Sequence, residues 1–194
     1  MQDFSSLLDY FSTFTKLSSA FTDELKAVLR TKQVGKNVIY ADKDTYAKKV
    51  GFLASGVVRI YDIDAKGQEW NKVLLSAPSM LLGNPNFQNK SIHYLETITP
   101  CEIIEFPISF LEESLKKHPE TKEIQAKLLL HLFEKKSERE YDFLTLSATE
   151  RYQKFLRTHS HIIDQLAQFH IASYLGITPT QLSRINVSIR NQQM

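Results

Sequence analysis

Cysteine, glycine and proline are scarce in this 194-residue sequence. There is one cysteine, Cys101, and there are six glycines and six prolines. A single thiol excludes an internal disulfide framework and also the sets of thiolates that iron–sulfur and structural zinc sites use. An apolar fraction of 42% and a charged fraction of 24% are ordinary for folded proteins, so we expect a globular chain.

Long hydrophobic runs are also absent. Nowhere do about 18 apolar residues follow one another, and the first segment, MQDFSSLLDYFSTF, has no basic start. We therefore expect no signal peptide and no membrane contact, and we predict a cytoplasmic protein.

Positive and negative charges nearly balance over the whole sequence, but they are unevenly distributed. The net charge is +2, while residues 147–194 alone carry five basic and two acidic side chains. A basic C-terminal part favours a polyanionic partner.

The first two-thirds of the sequence predict a helical start followed by strands. Apolar residues recur every three or four positions over residues 3–30, with a break near Ser18 and a second helix start at Thr22. Short runs rich in β-branched and aromatic residues follow, separated by turn signals, which is typical of a barrel or jelly roll. The candidate strands are 38–41, 49–54, 56–62, 69–75, 94–97 and 101–107.

A long helix is predicted after the strands. A short helix covers 108–117, and Pro119 then stands at the first turn of a helix that runs to about Leu146. Its apolar stripe is wider than a monomeric surface helix needs, so we expect a second copy to cover it. The predicted dimer contacts are Ile124, Leu128 and Leu132.

A separate C-terminal unit begins where Ser147 and Glu150 form a capping-box pattern. We therefore divide the chain into an effector unit at 1–118, a dimerisation helix at 119–146 and a helical unit at 147–194.

The stretch QFHIASYLGITPTQLSRI, residues 168–185, has the pattern of a helix-turn-helix. Ala172 lies where two helices would cross closely, and Gly176 can take the positive φ of a tight turn. Thr178, Pro179 and Gln181 form the capped start of a second helix. The residues expected to face DNA suit base edges and phosphates. They are Thr178, Thr180, Gln181, Ser183 and Arg184.

These segments resemble the Crp/Fnr family of transcription regulators. The C-terminal part, ERYQKFL followed by IASYLGITPTQLSRI, is similar to the short-tailed members common in Bacteroidetes. NVIY at 37–40, FLASGVVRIY at 52–61 and GQE at 67–69 resemble the family's effector barrel, where a strand ending in Ser-Gly precedes one of the form V-R-x-Y. The likeness covers about residues 20–186.

The resemblance implies an α+β fold, with a cyclic nucleotide-binding-like jelly roll, a dimerisation helix and an all-α helix-turn-helix unit. It also implies a homodimer that recognises a pseudo-palindromic site in double-stranded DNA through the helix 178–186. RNA polymerase would be a further partner, and an effector at the barrel would control binding.

The effector site departs from the family pattern. Members that bind cyclic AMP use a Gly-Glu and, some residues later, an Arg-x-Ala that pairs with the cyclic phosphate. This chain has Gly83–Asn84 and Ser91–Ile92–His93 at the comparable place. A buried phosphate without a cation is strongly disfavoured, so we predict no tight cyclic-nucleotide binding and an unknown effector at these five residues.

The end of the sequence is a second departure. Nine residues follow Ile185, too few for the β-hairpin wing that many relatives have. We expect phosphate contacts from Arg190 and from the helix near Arg151 and Arg157.

The sequence gives little support for an enzymatic function. The six histidines lack the spacing of a metal site, and phosphate-loop, nucleophile-elbow and HExxH motifs are absent, so we predict no catalytic or metal-binding residues. Two alternatives stay open: a ligand-binding or protein-interaction module with a vestigial helix-turn-helix, and a small-molecule barrel enzyme.

Overall fold

The computed structural model describes residues 3–192 and shows the predicted α+β fold. The helices are α1 (Ser5–Ser12), α2 (Ser19–Val28), α3 (Ile108–Lys117), α4 (Pro119–Thr145), α5 (Ala148–Thr158), α6 (Gln168–Leu175) and α7 (Pro179–Gln192), with a 3₁₀ turn at Ile163–Gln165. The strands are β1 (Arg30–Val34), β2 (Ile39–Ala41), β3 (Lys49–Ser55), β4 (Val57–Ile63), β5 (Glu69–Ser76), β6 (Ser79–Leu81), β7 (Tyr94–Thr97) and β8 (Cys101–Pro107).

The strands form two antiparallel sheets that pack face to face. Sheet A has the order β1-β8-β3-β6, and sheet B has the order β2-β7-β4-β5. Because side chains alternate along a strand, β3 directs Leu53 between the sheets and Phe52 towards the helices outside. Leu53 and Ile103 of sheet A share one buried cluster with Val58 and Leu95 of sheet B. The two sheets therefore close into a roll.

Helices cover the outer face of sheet A. Leu7 of α1 and Leu25 of α2 are fully buried against Phe52 and Ile104, and the base of α4 joins the same cluster through Ile124. This double coverage explains why β3 reads as a continuous apolar run instead of alternating with polar residues.

The side chains predicted to form dimer contacts face the core of the same chain. Ile124 and Leu128 are only 6% and 8% exposed because they pack into the helix-covered core of their own protomer, and Leu132 packs against that core as well. The exposed apolar side chains of α4 are instead Leu129, Leu130, Phe133, Tyr141, Phe143 and Leu144.

Two local predictions also differ from the structure. Helix α2 begins at Ser19, not near Thr22, because the Ser18 side chain accepts a hydrogen bond from the backbone of Phe21 at 3.2 Å and caps the helix. Strand β1 was not predicted, because only Val34 of its five residues is buried.

No helix within residues 3–192 has the length and apolarity that a membrane crossing requires. The predicted unit boundaries fall at the ends of α4, although residues 1–2 and 193–194 of the outer units lie outside the described part of the chain.

Candidate nucleic-acid interface

The turn between α6 and α7 has the predicted geometry. Gly176 follows α6 with φ of 68°, and the next two backbone amides turn back onto the helix. Gly176 N–H donates to Ser173 O at 3.2 Å and Ile177 N–H donates to Ala172 O at 3.0 Å. This pair of bonds is a Schellman motif, which satisfies the last carbonyls of α6.

Helix α7 begins with the predicted capping box. Gln181 N–H donates to Thr178 Oγ1 at 3.2 Å, and Thr178 N–H donates to Gln181 Oε1 at 2.9 Å. The box changes the expected role of Gln181, because a bidentate pair with adenine needs the same Oε1. With the cap intact, only the amide NH₂ of Gln181 remains to donate.

The outer face of α7 is polar and solvent-exposed, while its inner face is buried. Thr180, Ser183 and Arg184 are exposed, whereas Leu182 between them is fully buried. Leu182 packs with Ile171, Leu175 and Ile177 against α5. The outer face of α7 is therefore held in position by the apolar contacts of its inner face.

The helix continues further than the predicted 178–186. Arg190 lies on α7 itself, seven residues or two turns after Ser183, so the two residues share one face. Among the described residues, neither Arg184 nor Arg190 makes an ion pair. The exposed surface of α7 therefore carries two guanidinium groups, about 9 Å apart along the helix axis and about 120° apart around it.

Arg151 does not face solvent as a phosphate contact would. Its guanidinium donates to Leu146 O at 2.7 Å and to Leu175 O at 3.3 Å, and it lies over the ring of Phe143. Arg157, on the same helix, is exposed. Arg151 thus joins α4 to the helix-turn-helix instead of reaching outward.

Arg139 completes this joint, which sequence reasoning missed. Its guanidinium donates to Tyr174 O at 2.6 Å and lies 4.7 Å from the Phe143 ring centroid, on which Arg151 also stacks at 4.7 Å. A methyl group on Gly176 would come within 2.8 Å of Phe143. We call Arg139, Phe143, Arg151 and Gly176 the α4 joint.

Helix α6 docks on the edge strand β5 of the roll. Asn71 is almost fully buried, and its side chain donates to His170 O at 3.0 Å. Asn71 N–H donates to Ser173 Oγ at 2.8 Å, and that hydroxyl donates to Glu69 O at 3.2 Å. The contact covers backbone groups that an edge strand otherwise exposes.

A buried arginine of β4, Arg59, adjoins this contact and lies within hydrogen-bond distance of Asn71. Arg59 donates to Glu96 Oε2 at 2.9 Å through Nε and contacts Glu69 at 2.6 Å. Burial, reinforced by the Arg59 charge, lowers the pKa of His170 to about 4. His170 is therefore neutral near pH 7.

The roll contains a cavity of about 50 Å³ at the predicted effector site. Three of the residues predicted for that site, Gly83, Asn84 and Ser91, line the cavity together with Tyr40 and Lys49. Tyr40 and Lys49 both bind the buried carboxylate of Glu105, which does not itself line the cavity: it accepts hydrogen bonds from the Tyr40 hydroxyl at 3.1 Å and from Lys49 Nζ at 2.7 Å.

Two residues assigned to the effector site lie elsewhere. Ile92 is 46% exposed, and His93 does not line the cavity; its Nδ1 lies 2.6 Å from Asp62 Oδ2 and its Nε2 lies 2.5 Å from Lys72 Nζ. Burial and the nearby Lys72 charge lower the pKa of His93. The chain leaves the cavity after Ser91, so the next two side chains do not line it.

The side chain of Asn84 forms its hydrogen bonds within its own loop. Its NH₂ donates to Lys90 O at 2.9 Å, and its Oδ1 accepts from Asn86 N–H at 2.9 Å. Lys49 is the one cation among the described residues that line the cavity, and Glu105 already neutralises it.

Within residues 3–192, no three histidine, cysteine or carboxylate side chains form a group that could hold a metal ion. Cys101 is buried in β8, and burial raises the pKa of its thiol.

Comparison by sequence finds no matching protein-family model and no matching curated protein. Comparison by structure does find matches. FixK2 from Bradyrhizobium japonicum matches with a TM-score of 0.76 and 16% identity, over 86% of each chain. The c-di-GMP-responsive global regulator CLP from Xanthomonas campestris matches with a TM-score of 0.72 and 13% identity, over 91% of this chain and 93% of CLP.

A structure from Eubacterium rectale that is assigned to the Crp/Fnr family of transcriptional regulators matches with a TM-score of 0.74 and 17% identity, over 91% of this chain and 85% of that one. The order of the parts also agrees with the resemblance seen in the sequence. The chain therefore has the fold of the Crp/Fnr transcription regulators.

Proposed function

We propose that this protein is a DNA-binding transcription regulator that acts as a homodimer. The observation that carries the proposal is α7, a capped helix whose outer face presents hydroxyl and guanidinium groups while its inner face is locked by Leu182. Such a face suits the major groove, where arginine pairs with guanine and hydroxyls contact phosphates or base edges.

The dimer surface that we propose is the solvent-facing seam of α4. Leu130, Phe133, Ser137 and Leu144 are exposed and recur at spacings of three, four and seven residues. This is the spacing of a two-stranded coiled coil. Leu144 is the most exposed of these residues, at 80% in the single chain. Two such seams pack together and cover apolar surface that water otherwise contacts.

A dimer doubles the number of arginines that can contact DNA phosphates. Each α7 exposes two arginines, Arg184 and Arg190, so a single copy makes few phosphate contacts. Two copies set about 34 Å apart reach successive major grooves of a pseudo-palindromic site, and the second contact becomes intramolecular.

The cavity of the roll is the proposed effector site, and its chemistry argues against a cyclic nucleotide. Among the described lining residues Lys49 is the single cation, and its charge is already offset by Glu105, so a cyclic phosphate placed there would lack a free cation. We propose a neutral or weakly polar effector that uses the Tyr40 hydroxyl and the backbone near Gly83.

Selection of binding sites from random duplexes, followed by affinity measurements at several salt concentrations, tests the function. We expect a preferred sequence with two-fold symmetry and a steep loss of affinity with salt. Arg184→Ala should weaken binding at least about tenfold, and Lys66→Ala, which removes an exposed charge on the roll, should leave it nearly unchanged. Salt-independent binding without sequence preference would instead favour a protein-interaction module.

A further inference from the structure

Three side chains of sheet B and its β7 end form a hydrogen-bonded chain that finishes on a lysine. Asp62 Oδ2 of β4 accepts a hydrogen bond from His93 Nδ1 at 2.6 Å, and His93 Nε2 lies 2.5 Å from Lys72 Nζ of β5. Burial and the Lys72 charge lower the pKa of His93, so its imidazole is neutral near pH 7. Because Nδ1–H donates to Asp62, Nε2 is left to accept a proton from Lys72. We call Asp62, His93 and Lys72 the lysine relay.

A backbone irregularity in β5 brings Lys72 to this chain. The pairing of β4 with β5 shifts by one residue between Ile60 and Tyr61, and Lys72 is left without a partner residue on β4. Such an extra residue is a β-bulge, which re-aims a side chain and is over-represented beside active sites. Since β4 lies between β5 and β7 in the sheet, Lys72 reaches across β4 to His93, the residue before β7.

Lys72 is both accessible and inclined to lose its proton. The residue is exposed, so a small reagent can reach its amine. Partial burial lowers the pKa of its ammonium group, opposed by the Asp62 carboxylate and reinforced by the Lys136 charge on α4. The neutral amine, which is the nucleophilic form, is therefore more abundant than in an ordinary surface lysine.

We propose that Lys72 is an acylation site at which its amine attacks an acyl phosphate, with His93 as proton acceptor and Asp62 as the residue that positions His93. A C–N bond forms while the C–O bond to phosphate breaks, and inorganic phosphate leaves with the electron pair of that bond. The proton that the nitrogen loses passes to His93 Nε2, and Asp62 stabilises the imidazolium before it releases the proton to solvent. The products are an amide and phosphate, and nothing is oxidised or reduced.

The charges around the lysine relay favour an anionic acyl donor. Lys43 Nζ lies 3.3 Å from Asp62 Oδ1, and the Lys136 charge acts on Lys72. Three lysines thus accompany the one carboxylate of the relay, which attracts an acyl phosphate to the amine. Acylation removes the Lys72 charge and with it the repulsion from Lys136. Any effect on DNA binding rests on the proposed function, whereas acylation itself does not.

The test treats the full-length protein, without DNA, with acetyl phosphate and follows acetylation of each lysine by peptide mass spectrometry. Lys66, exposed in the turn between β4 and β5, is the internal control. At pH 8 we expect Lys72 to react at least about tenfold faster than Lys66. The excess should shrink with added salt, and also with p-nitrophenyl acetate, an uncharged donor. Equal rates at the two lysines would overturn the proposal, and equal excesses with the two reagents would overturn the anionic donor.

Two variants separate the lysine relay from a simple effect of charge. His93→Gln keeps a polar side chain that cannot take up a proton, so it should slow acetylation of Lys72 about tenfold and leave Lys66 unchanged. Asp62→Asn removes a charge that raises the pKa of Lys72, so on electrostatic grounds alone it should speed the reaction. The relay predicts a slower reaction instead, because His93 loses the carboxylate that orients it.

An unchanged rate at Lys72 in His93→Gln, or a faster one in Asp62→Asn, would contradict the lysine relay. The comparison of Lys72 with Lys66 in the unaltered protein needs no substitution, so it decides the proposal even if a variant folds poorly.

Discussion

Alanine at Gly176 should destabilise the protein for two separable reasons. The φ of 68° costs a residue with a Cβ roughly 1–2 kcal/mol. The new methyl group would also lie 2.8 Å from the Phe143 ring, and any movement of that ring disturbs its stacking with Arg139 and Arg151. Overpacking of this kind costs about 1–3 kcal/mol, so we expect a total loss of about 2–5 kcal/mol in the free energy of unfolding.

Gly67 supplies the matched control. It has φ of 79°, but a Cβ there meets nothing within 4 Å, so Gly67→Ala incurs only the backbone cost. Urea unfolding should show that Gly176→Ala loses about 1–3 kcal/mol more than Gly67→Ala. In a Phe143→Ala background the excess should disappear, because the clash is gone. Equal losses for the two glycines, or an excess that survives removal of the ring, would refute the reasoning.

Three further predictions concern the dimer, pH and the cap. Leu130→Asp with Phe133→Asp should convert the dimer to a monomer in analytical ultracentrifugation without lowering the melting temperature of the protomer, because both side chains are exposed; an unchanged sedimentation coefficient would contradict the proposed seam. The pKa of His170 is about 4 in the folded chain and about 6.5 in the unfolded chain. As pH falls, the unfolded chain binds the proton first, so up to about 3 kcal/mol of the free energy of unfolding is lost between pH 6.5 and pH 4. His170→Gln should flatten that part of the stability curve, and an equally steep curve would show that other groups cause it. Thr178→Ala should cost about 1 kcal/mol by removing the cap of α7, measured by urea unfolding, and a loss below the experimental error would mean that the box does not stabilise the helix.

The helix-turn-helix could be predicted because its signals are local. Ala172, Gly176 and the Thr178 cap lie within seven residues, and each has a backbone or short-range cause that no distant contact needs to supply. The bounds of α3, β7 and β8 followed in the same way from periodicity and turn residues.

The faces of α4 could not be assigned from the sequence. Both the row of Ile124 and Leu128 and the row of Leu130 and Phe133 are apolar, and only the three-dimensional position of α1 and α2 shows which row the protomer covers itself. Strand β1 escaped detection for a related reason, since its pairing with β8 depends on backbone bonds that its polar side chains do not reveal.

Of the five residues predicted to form an effector site, Gly83, Asn84 and Ser91 line one cavity of the roll. Gly83 and Ser91 face the cavity, but the loop between them is shaped by the hydrogen bonds of Asn84, which no pattern of spacing encodes. The α4 joint was missed because Arg139 and Arg151 read as ordinary surface charges until their carbonyl partners are known.

The α4 joint gives the long helix a mechanical role. With 27 residues, α4 is about 40 Å long. The α4 joint holds its C-terminal end against the helix-turn-helix. Such a rod acts as a lever: tilting it by about 5° at its root swings the tip by about 3.5 Å, close to the rise of one DNA base step. On the proposed function, a small tilt of α4 would therefore move the DNA contact by about one base pair, with no change in the helix-turn-helix itself.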